Sequence, residues 1–174
     1  MVEVAVDAIK TRRSVRKYEE TAVSDDQLQE VLESARYAES WANKQGWHIL
    51  VIKSAETRAK IAEAIEGNPG ARAVGQAPVF LAVCMDPEAS GNMNGKPYYM
   101  VDAGILMDHI MLTAADQGLG TVFIGAFDED KVRAVLGVPA EFRIVGLTPL
   151  GVPAKTPGER PRNELDDIVH MEKW

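Results

Sequence analysis

Four cations crowd into six consecutive positions near the start of the chain, Arg12-Arg13-Ser14-Val15-Arg16-Lys17. Guanidinium groups chelate phosphate oxygens with paired hydrogen bonds, and the Ser14 hydroxyl can add one more. A solvated cationic helix end, favoured by the helix dipole, accounts for the same residues. A second pair, Arg160 and Arg162, flanks Pro161 near the C-terminus. Two separated Arg clusters in an acidic chain could converge on one anion, or each could be solvated surface. The third candidate is the loop Ser40-Trp41-Ala42-Asn43-Lys44-Gln45-Gly46-Trp47. Carboxamides such as Asn43 and Gln45 both donate and accept, which suits the edge of a planar heterocycle, and Trp packs on aromatic rings. A polar loop carrying two core tryptophans is the plainer alternative.

Weaker signals lead elsewhere. Gly118-Leu119-Gly120 precedes a strand rather than a helix, so it is no dinucleotide fingerprint. Gly70 and Gly75 have P-loop spacing, but Gln76 and Ala77 occupy the places of the required Lys and Ser/Thr. His48, His109 and His170 lack metal-ligand spacing, and no metal site is expected. Asp102 and Asp108 are read as capping, packing or ion-pair residues, not a catalytic pair. Cys84 lies in an apolar run and reads as a buried, inert thiol.

The 174 residues suffice for one domain spanning 1–174, large enough to fold without a disulfide or metal. Hydrophobic residues at 46% and charged residues at 26% exclude a largely disordered chain. A net charge of −7 disfavours nucleic acid and anionic membranes as partners. The lone cysteine excludes an internal disulfide framework. No apolar stretch is long enough for a membrane span, and the N-terminus does not read as a signal peptide. A soluble protein of the reducing cytoplasm is expected.

Apolar spacing predicts a helix over 2–12, with Val2, Ala5, Val6 and Ile9 on one face. Ser24 followed by Gln27 predicts a capping box, and Leu28, Val31, Leu32 and Ala35 the buried face of the helix it opens. Trp47–Lys53 and Pro78–Met85 read as strands, and Ser54 as the cap of a helix running to about Glu66 and ended by Gly67-Asn68-Pro69-Gly70. Residues 86–97 read as a mobile surface loop. Residues 98–117 form the longest helix, apolar on nearly all sides and so central or buried against a second subunit. Thr121–Gly125 reads as a strand, Asp128–Leu136 as a helix closed by Gly137, and Phe142–Leu150 as the last strand. The tail ends in Ile168, Val169, Met171 and Trp174, which is too apolar to hang free. Two helices before the first strand favour an α+β three-layer arrangement over a Rossmann domain.

In this order the features resemble the FMN-dependent nitroreductase family over nearly the whole chain. RRSVRKY looks like the family's Arg-x-Ser-x-Arg signature, and SWANKQGW like its Pro-Ser-x-x-Asn-x-Gln-Pro-Trp loop. Asp102-Ala103-Gly104 on the long helix, followed by GLGTVFIGAF, is similar to the family's Gly-Leu-Gly-Ser-x-x-Ile-Gly segment. RIVGLTPLGVP, Arg160-Pro161-Arg162 and the closing Ile-Val-His complete the match. Glu39 and Gly46 stand where the family has Pro, and Gly46 predicts a looser loop. The lid-forming insertion is reduced to residues 86–97.

The resemblance implies a three-layer α/β/α sandwich around a central mixed, mainly antiparallel sheet, dimeric through the long central helix. It implies a homodimer with FMN at the interface. Arg12, Arg13, Ser14 and Arg16 would hold the phosphate and the flavin's polar rim, with Arg160 and Arg162 completing the phosphate grip. Ser40, Asn43 and Gln45 would come from the other subunit, and Ile124, Gly125 and Ala126 would lie against the ring. The implied function is NAD(P)H oxidation coupled by a ping-pong two-electron mechanism to a nitroaromatic, quinone or similar small acceptor. FMN would carry the chemistry, with no protein catalytic residue. A flavin carrier or sensor with little turnover, or a related flavin enzyme such as a reductive dehalogenase, is the alternative.

Overall fold

The structure is a computed structural model that describes residues 2–174, with side chains from residue 7 onward. Helix α1 spans Val2–Thr11 and packs on the long helix α5, Tyr98–Asp116. Ala8 is buried, whereas Ile9 is exposed. Ile9 lies on an exposed part of this helix in the single chain. Val2, Ala5 and Val6 lie outside the described side chains. Helix α2, Asp25–Ala35, opens with the expected capping box: Ser24 Oγ accepts from the Gln27 N–H at 3.1 Å, and Gln27 Oε1 accepts from the Ser24 N–H at 3.2 Å. Leu28, Val31 and Ala35 are buried, and Leu32 packs against them.

Strands β1 (Trp47–Ile52), β2 (Val79–Met85), β5 (Gly120–Thr121) and β6 (Arg143–Gly151) form one sheet in the order β1-β2-β6-β5. Among the described residues every ladder is antiparallel, and the parallel component is the single bridge between Ser14 and Thr121. β2 is buried along all seven residues. Val79, Leu81, Val83 and Met85 face α2 and α5. Phe80, Ala82 and Cys84 face α3 (Ala55–Ala64), α4 (Ala71–Gln76) and α6 (Glu129–Leu136). A strand covered on both faces reads as a continuous apolar run, which is why its sequence does not alternate. A bulge lets Val83 pair with Gly146 and Cys84 with Ile144, leaving Val145 as the extra residue on β6.

Two expectations are corrected. The strand expected over Thr121–Gly125 stops at Thr121 and resumes only as a bridge between Ile124 and Leu147. The register is continuous, but Pro149 opposite Val122 has no N–H to donate to the ladder. Residues 86–97 carry a small hairpin, β3 (Asn92–Met93) and β4 (Lys96–Pro97), turned through Asn94 and Gly95 at φ 53° and 74°. Helix α4 fills most of the stretch between the helix stop at 67–70 and β2, to which the sequence assigned no element. Ser54 caps α3 as expected, accepting from the Thr57 N–H at 3.3 Å. No helix among the described residues is long and apolar enough to cross a membrane.

Glu129 braces α6 against β6. Its Oε1 accepts from the Ile144 N–H at 2.8 Å and from Arg133 at 2.6 Å, and its Oε2 accepts from Arg143 at 2.9 Å. Burial pushes the Glu129 carboxyl up, but the Arg143 and Ile144 hydrogen bonds outweigh it and hold the group below the ordinary Glu range. Such a group adds stability above its unfolded-state pKa, and the contribution is lost as pH falls through the lower folded value. Glu129→Gln is expected to cost about 1–2 kcal/mol at pH 7 by urea denaturation, since Arg143 is half exposed and screened. The gap from wild type should shrink as the pH falls below about 4. An unchanged urea midpoint at pH 7 would contradict this role.

Candidate functional site

The basic turn is seated by a glycine that bears no side chain. A Cβ on Gly120 would lie 2.8 Å from the Val15 side chain, so only glycine lets Val15 lie against β5. The Val15 N–H donates to the Thr121 carbonyl at 2.8 Å, alongside the Ser14–Thr121 bridge. Gly118, at φ 72°, ends α5 in a left-handed turn and delivers the chain to β5. The next residues pair with the chain leaving β6: the Glu19 N–H donates to Val152, and the Ala154 N–H to Lys17, at 2.9 and 3.0 Å. The Tyr18 hydroxyl donates back to the Val15 carbonyl at 2.9 Å, and burial raises its pKa above the ordinary phenol value.

This pairing carries the tail over the basic turn. Arg12, Arg13, Ser14 and Arg16 line one cleft of about 140 Å³ with Pro157, Gly158, Arg160 and Arg162. The two Arg clusters thus converge. Arg13 donates to the Lys10 and Arg12 carbonyls, Arg16 to the Ser14 carbonyl, and Arg162 to the Arg160 and Pro161 carbonyls. Among the described residues, none of the five arginines is in salt-bridge contact with a carboxylate. Glu159 lines the adjoining cleft with Arg13, Arg160 and Arg162, but five guanidiniums against one nearby carboxylate still leave a cationic cleft suited to an external anion.

The loop with Ser40, Asn43 and Gln45 folds into a single 3-10 turn, Trp41–Asn43. Ala42, Asn43 and Gln45 have φ of 45°, 54° and 52°, a sparsely populated region for residues with side chains. The Gln45 N–H donates to Ser40 Oγ at 2.9 Å, and the Gln45 carboxamide to the Asn43 carbonyl at 3.3 Å. The looser loop expected from Gly46 is corrected. Gly46 is buried, a Cβ there would lie 2.6 Å from the Ala89 side chain, and its carbonyl accepts from the Asp86 N–H at 2.8 Å. The missing side chain draws residues 86–91 against the loop.

Ile124 is buried, with its N–H and C=O both bonded to Leu147, while Gly125 and Ala126 are exposed. Asn68, read from the sequence only as part of a helix stop, holds this segment. Its carboxamide donates to the Ala126 carbonyl at 2.6 Å and accepts from the Gly70 N–H at 2.7 Å. A Cβ on Gly70 would lie 2.6 Å from Ile124 Cδ1, so this turn too sits closer than a side chain allows.

Ser40, Asn43, Gln45, Ile124, Gly125 and Ala126 do not line the arginine cleft. The Ser40–Gln45 loop meets α5 near its N-terminal end, at Tyr98 and Asp102. The basic turn meets the other end, at Ala115, Gly118 and Leu119. Asp102 and Ala115 are thirteen residues apart, about 20 Å along the helix. Ile124 is three residues past the Ser14–Thr121 bridge, about 10 Å along an extended chain. Cys84 is buried, and burial pushes its thiol up to about 11, which disfavours the thiolate. Among the described residues no cluster suits a metal ion.

A sequence profile described as "Nitroreductase family" matches residues 9–70 and 66–152. The chain is 34% identical, over 97% of its length and 87% of the relative's, to a protein of Methanothermobacter thermautotrophicus provisionally named NADH dehydrogenase/NAD(P)H nitroreductase. It is 28% identical, over 97% of its length and 74% of the relative's, to an NAD(P)H FMN reductase of Bacillus subtilis. A crystal structure of a nitroreductase family protein from Clostridium novyi NT superposes with a TM-score of 0.82 at 40% identity, covering 85% of both chains.

The seating of the basic turn is testable. Gly120→Ala is expected to cost about 1–3 kcal/mol in a denaturant titration, because its methyl overlaps Val15. Adding Val15→Ala should recover about 1 kcal/mol relative to the sum of the single variants. Strictly additive costs would show that the two residues do not share this space.

Proposed function

We propose that this chain, which belongs to the nitroreductase family and is an NAD(P)H-dependent flavin oxidoreductase, holds FMN between two copies of itself. The observation that carries the reading is the cleft of Arg12, Arg13, Ser14, Arg16, Arg160 and Arg162. Guanidiniums without carboxylate partners, together with a hydroxyl, suit a phosphate dianion. The exposed Gly125-Ala126 segment, about 13–17 Å along an extended chain from the Ser14–Thr121 bridge, suits a flat ring joined to that phosphate by a ribityl chain.

The second copy follows from the geometry of α5. The arginine cleft and the Ser40–Gln45 loop belong to opposite ends of one helix. An antiparallel pairing of two α5 helices about a two-fold axis sets the loop of one copy beside the cleft of the other. Apolar side chains left exposed on one chain support it: Met100 and Val101 on α5, Ile9 on α1, and Leu165, Ile168, Val169, Met171 and Trp174 in the tail. Contact between two copies would take this apolar surface out of water. α7 (Leu165–Ile168) lies in the same exposed tail.

FMN supplies hydride acceptance and donation when bound. The chain's own residues bind and orient. The five arginines neutralise the phosphate, and guanidinium charge near the flavin's polar rim favours added negative charge there. The Gly125 backbone offers a close approach without a side chain. Asn43 and Gln45 present carboxamides to the partner copy's site, and Ser40 keeps a hydroxyl hydrogen to donate. NAD(P)H enters, leaves, and yields the same space to a nitroaromatic, quinone or similar acceptor, in a ping-pong order. A buried free thiol without a disulfide suits the cytoplasm.

Arg16→Ala removes one charged hydrogen-bond donor from the cleft and is expected to weaken FMN binding by about 10- to 100-fold, corresponding to ~1.5–3 kcal/mol. Fluorescence titration of FMN-depleted protein reads this directly. A change within about threefold would overturn the phosphate assignment. Steady-state NAD(P)H oxidation with menadione or a nitroarene should show turnover by the wild type, and bound flavin without turnover would mark a carrier instead.

A further inference from the structure

We propose that Asp102 is a positioning residue whose buried carboxylate holds the Ser40–Gln45 loop in the shape that meets the flavin of the partner copy. This rests on the interfacial FMN reading above. Asp102 is 2% exposed on a helix face that is otherwise apolar. No cation is paired with it among the described residues. A buried carboxylate costs desolvation and is retained only where its oxygens are satisfied. Both are satisfied by loops rather than by its own helix. Oδ1 accepts from the Trp41 N–H at 2.9 Å, and Oδ2 accepts from the Ser90 hydroxyl.

The anchored Trp41 is the hub of the loop. Its ring lies on Tyr98, centroids 4.4 Å apart, and Tyr98 is one turn before Asp102 on the same face of α5. Gly91 lies directly beneath the indole, where any Cβ would overlap it. The Trp41 carbonyl accepts from the Lys44 N–H and the Ser40 carbonyl from the Asn43 N–H, both at 2.9 Å. Fixing Trp41 therefore fixes the residues on either side of it. The three left-handed residues Ala42, Asn43 and Gln45 give the loop a conformation it would relax from if released. An Asp supplies the two separate acceptors that one apolar or singly accepting residue cannot. Through Ser90 the same carboxylate ties residues 86–97, the shortened lid region, to the loop.

The test uses the full-length dimer and compares Asp102→Ala, Asp102→Asn and Ser90→Ala with wild type. The readouts are FMN affinity by fluorescence titration, visible circular dichroism of the bound flavin, and the melting temperature of the FMN-free protein. Asp102→Ala is expected to weaken FMN at least tenfold and to alter the visible circular dichroism. Asp102→Asn should restore most of both, because its carboxamide oxygen still accepts from Trp41 while its NH₂ donates to Ser90. Ser90→Ala should fall between. If Asp102→Ala does not fold, the Asn and Ser90 variants decide: Ser90→Ala must weaken FMN and change the dichroism. Lower melting temperatures with affinity and dichroism unchanged would overturn the positioning role and leave the FMN reading standing. Failure of wild type to take up FMN would overturn both.

Discussion

The arginine cleft depends on the absence of a side chain at Gly120. Because nothing projects from that position, Val15 packs against β5 and the Ser14–Thr121 bridge closes. Once residues 14–15 are held there, residues 17–19 lie beside 152–154, and the chain leaving the last strand has to pass over the basic turn. The five arginines meet as a result of backbone packing, not of attraction between them. Like charges repel, so the sheet's hydrogen bonds and the buried Val15 and Tyr18 hold the cluster against its own electrostatics. A bound dianion relieves that repulsion, so binding and local stability are coupled.

Helix α5 organises the rest. Its C-terminal end abuts the basic turn, and its N-terminal end carries Tyr98 and Asp102, which hold the Ser40–Gln45 loop. One of its faces packs on β2 and α2, while Met100, Val101 and Gly104 face outward. The exposed side of α5 also carries Asp108, and in the proposed symmetric pair each copy would complete the other's site. The same pairing covers apolar surface and gives the carboxamides of the loop an occupant to read.

Much of the fold was legible in the sequence because the signals are local. Ser24 and Gln27 cap a helix wherever they lie three apart, Gly118 and Gly137 stop helices through their left-handed backbone, and the unbroken apolar run of β2 marks a strand covered on both faces. Readings failed where the deciding partner was distant in sequence. Thr121–Gly125 has strand composition, but its ladder is cut by Pro149 on the opposing strand. Gly46 suggested slack, whereas Ala89 fills the space its side chain would have taken. Asn68 and Asp102 looked like a helix stop and a packing residue, since their partners, Ala126, Trp41 and Ser90, are set by tertiary packing. The two Arg clusters were visible as types, but their convergence depends on pairing between residues 133 to 137 positions apart, Glu19 with Val152 and Lys17 with Ala154. The hairpin in 86–97 had a signal that went unread: Asn94-Gly95 is a favoured two-residue turn.

The central claim is that the arginine cleft and the partner's loop together hold FMN. The most direct test is the visible absorption spectrum of the purified protein, followed by denaturation and identification of the released chromophore. The account predicts a flavin spectrum and about one FMN released per chain, the stoichiometry of two equivalent interfacial sites. A colourless protein that also fails to take up added FMN would contradict it, and the five converging arginines would then be a cationic surface awaiting a different anion.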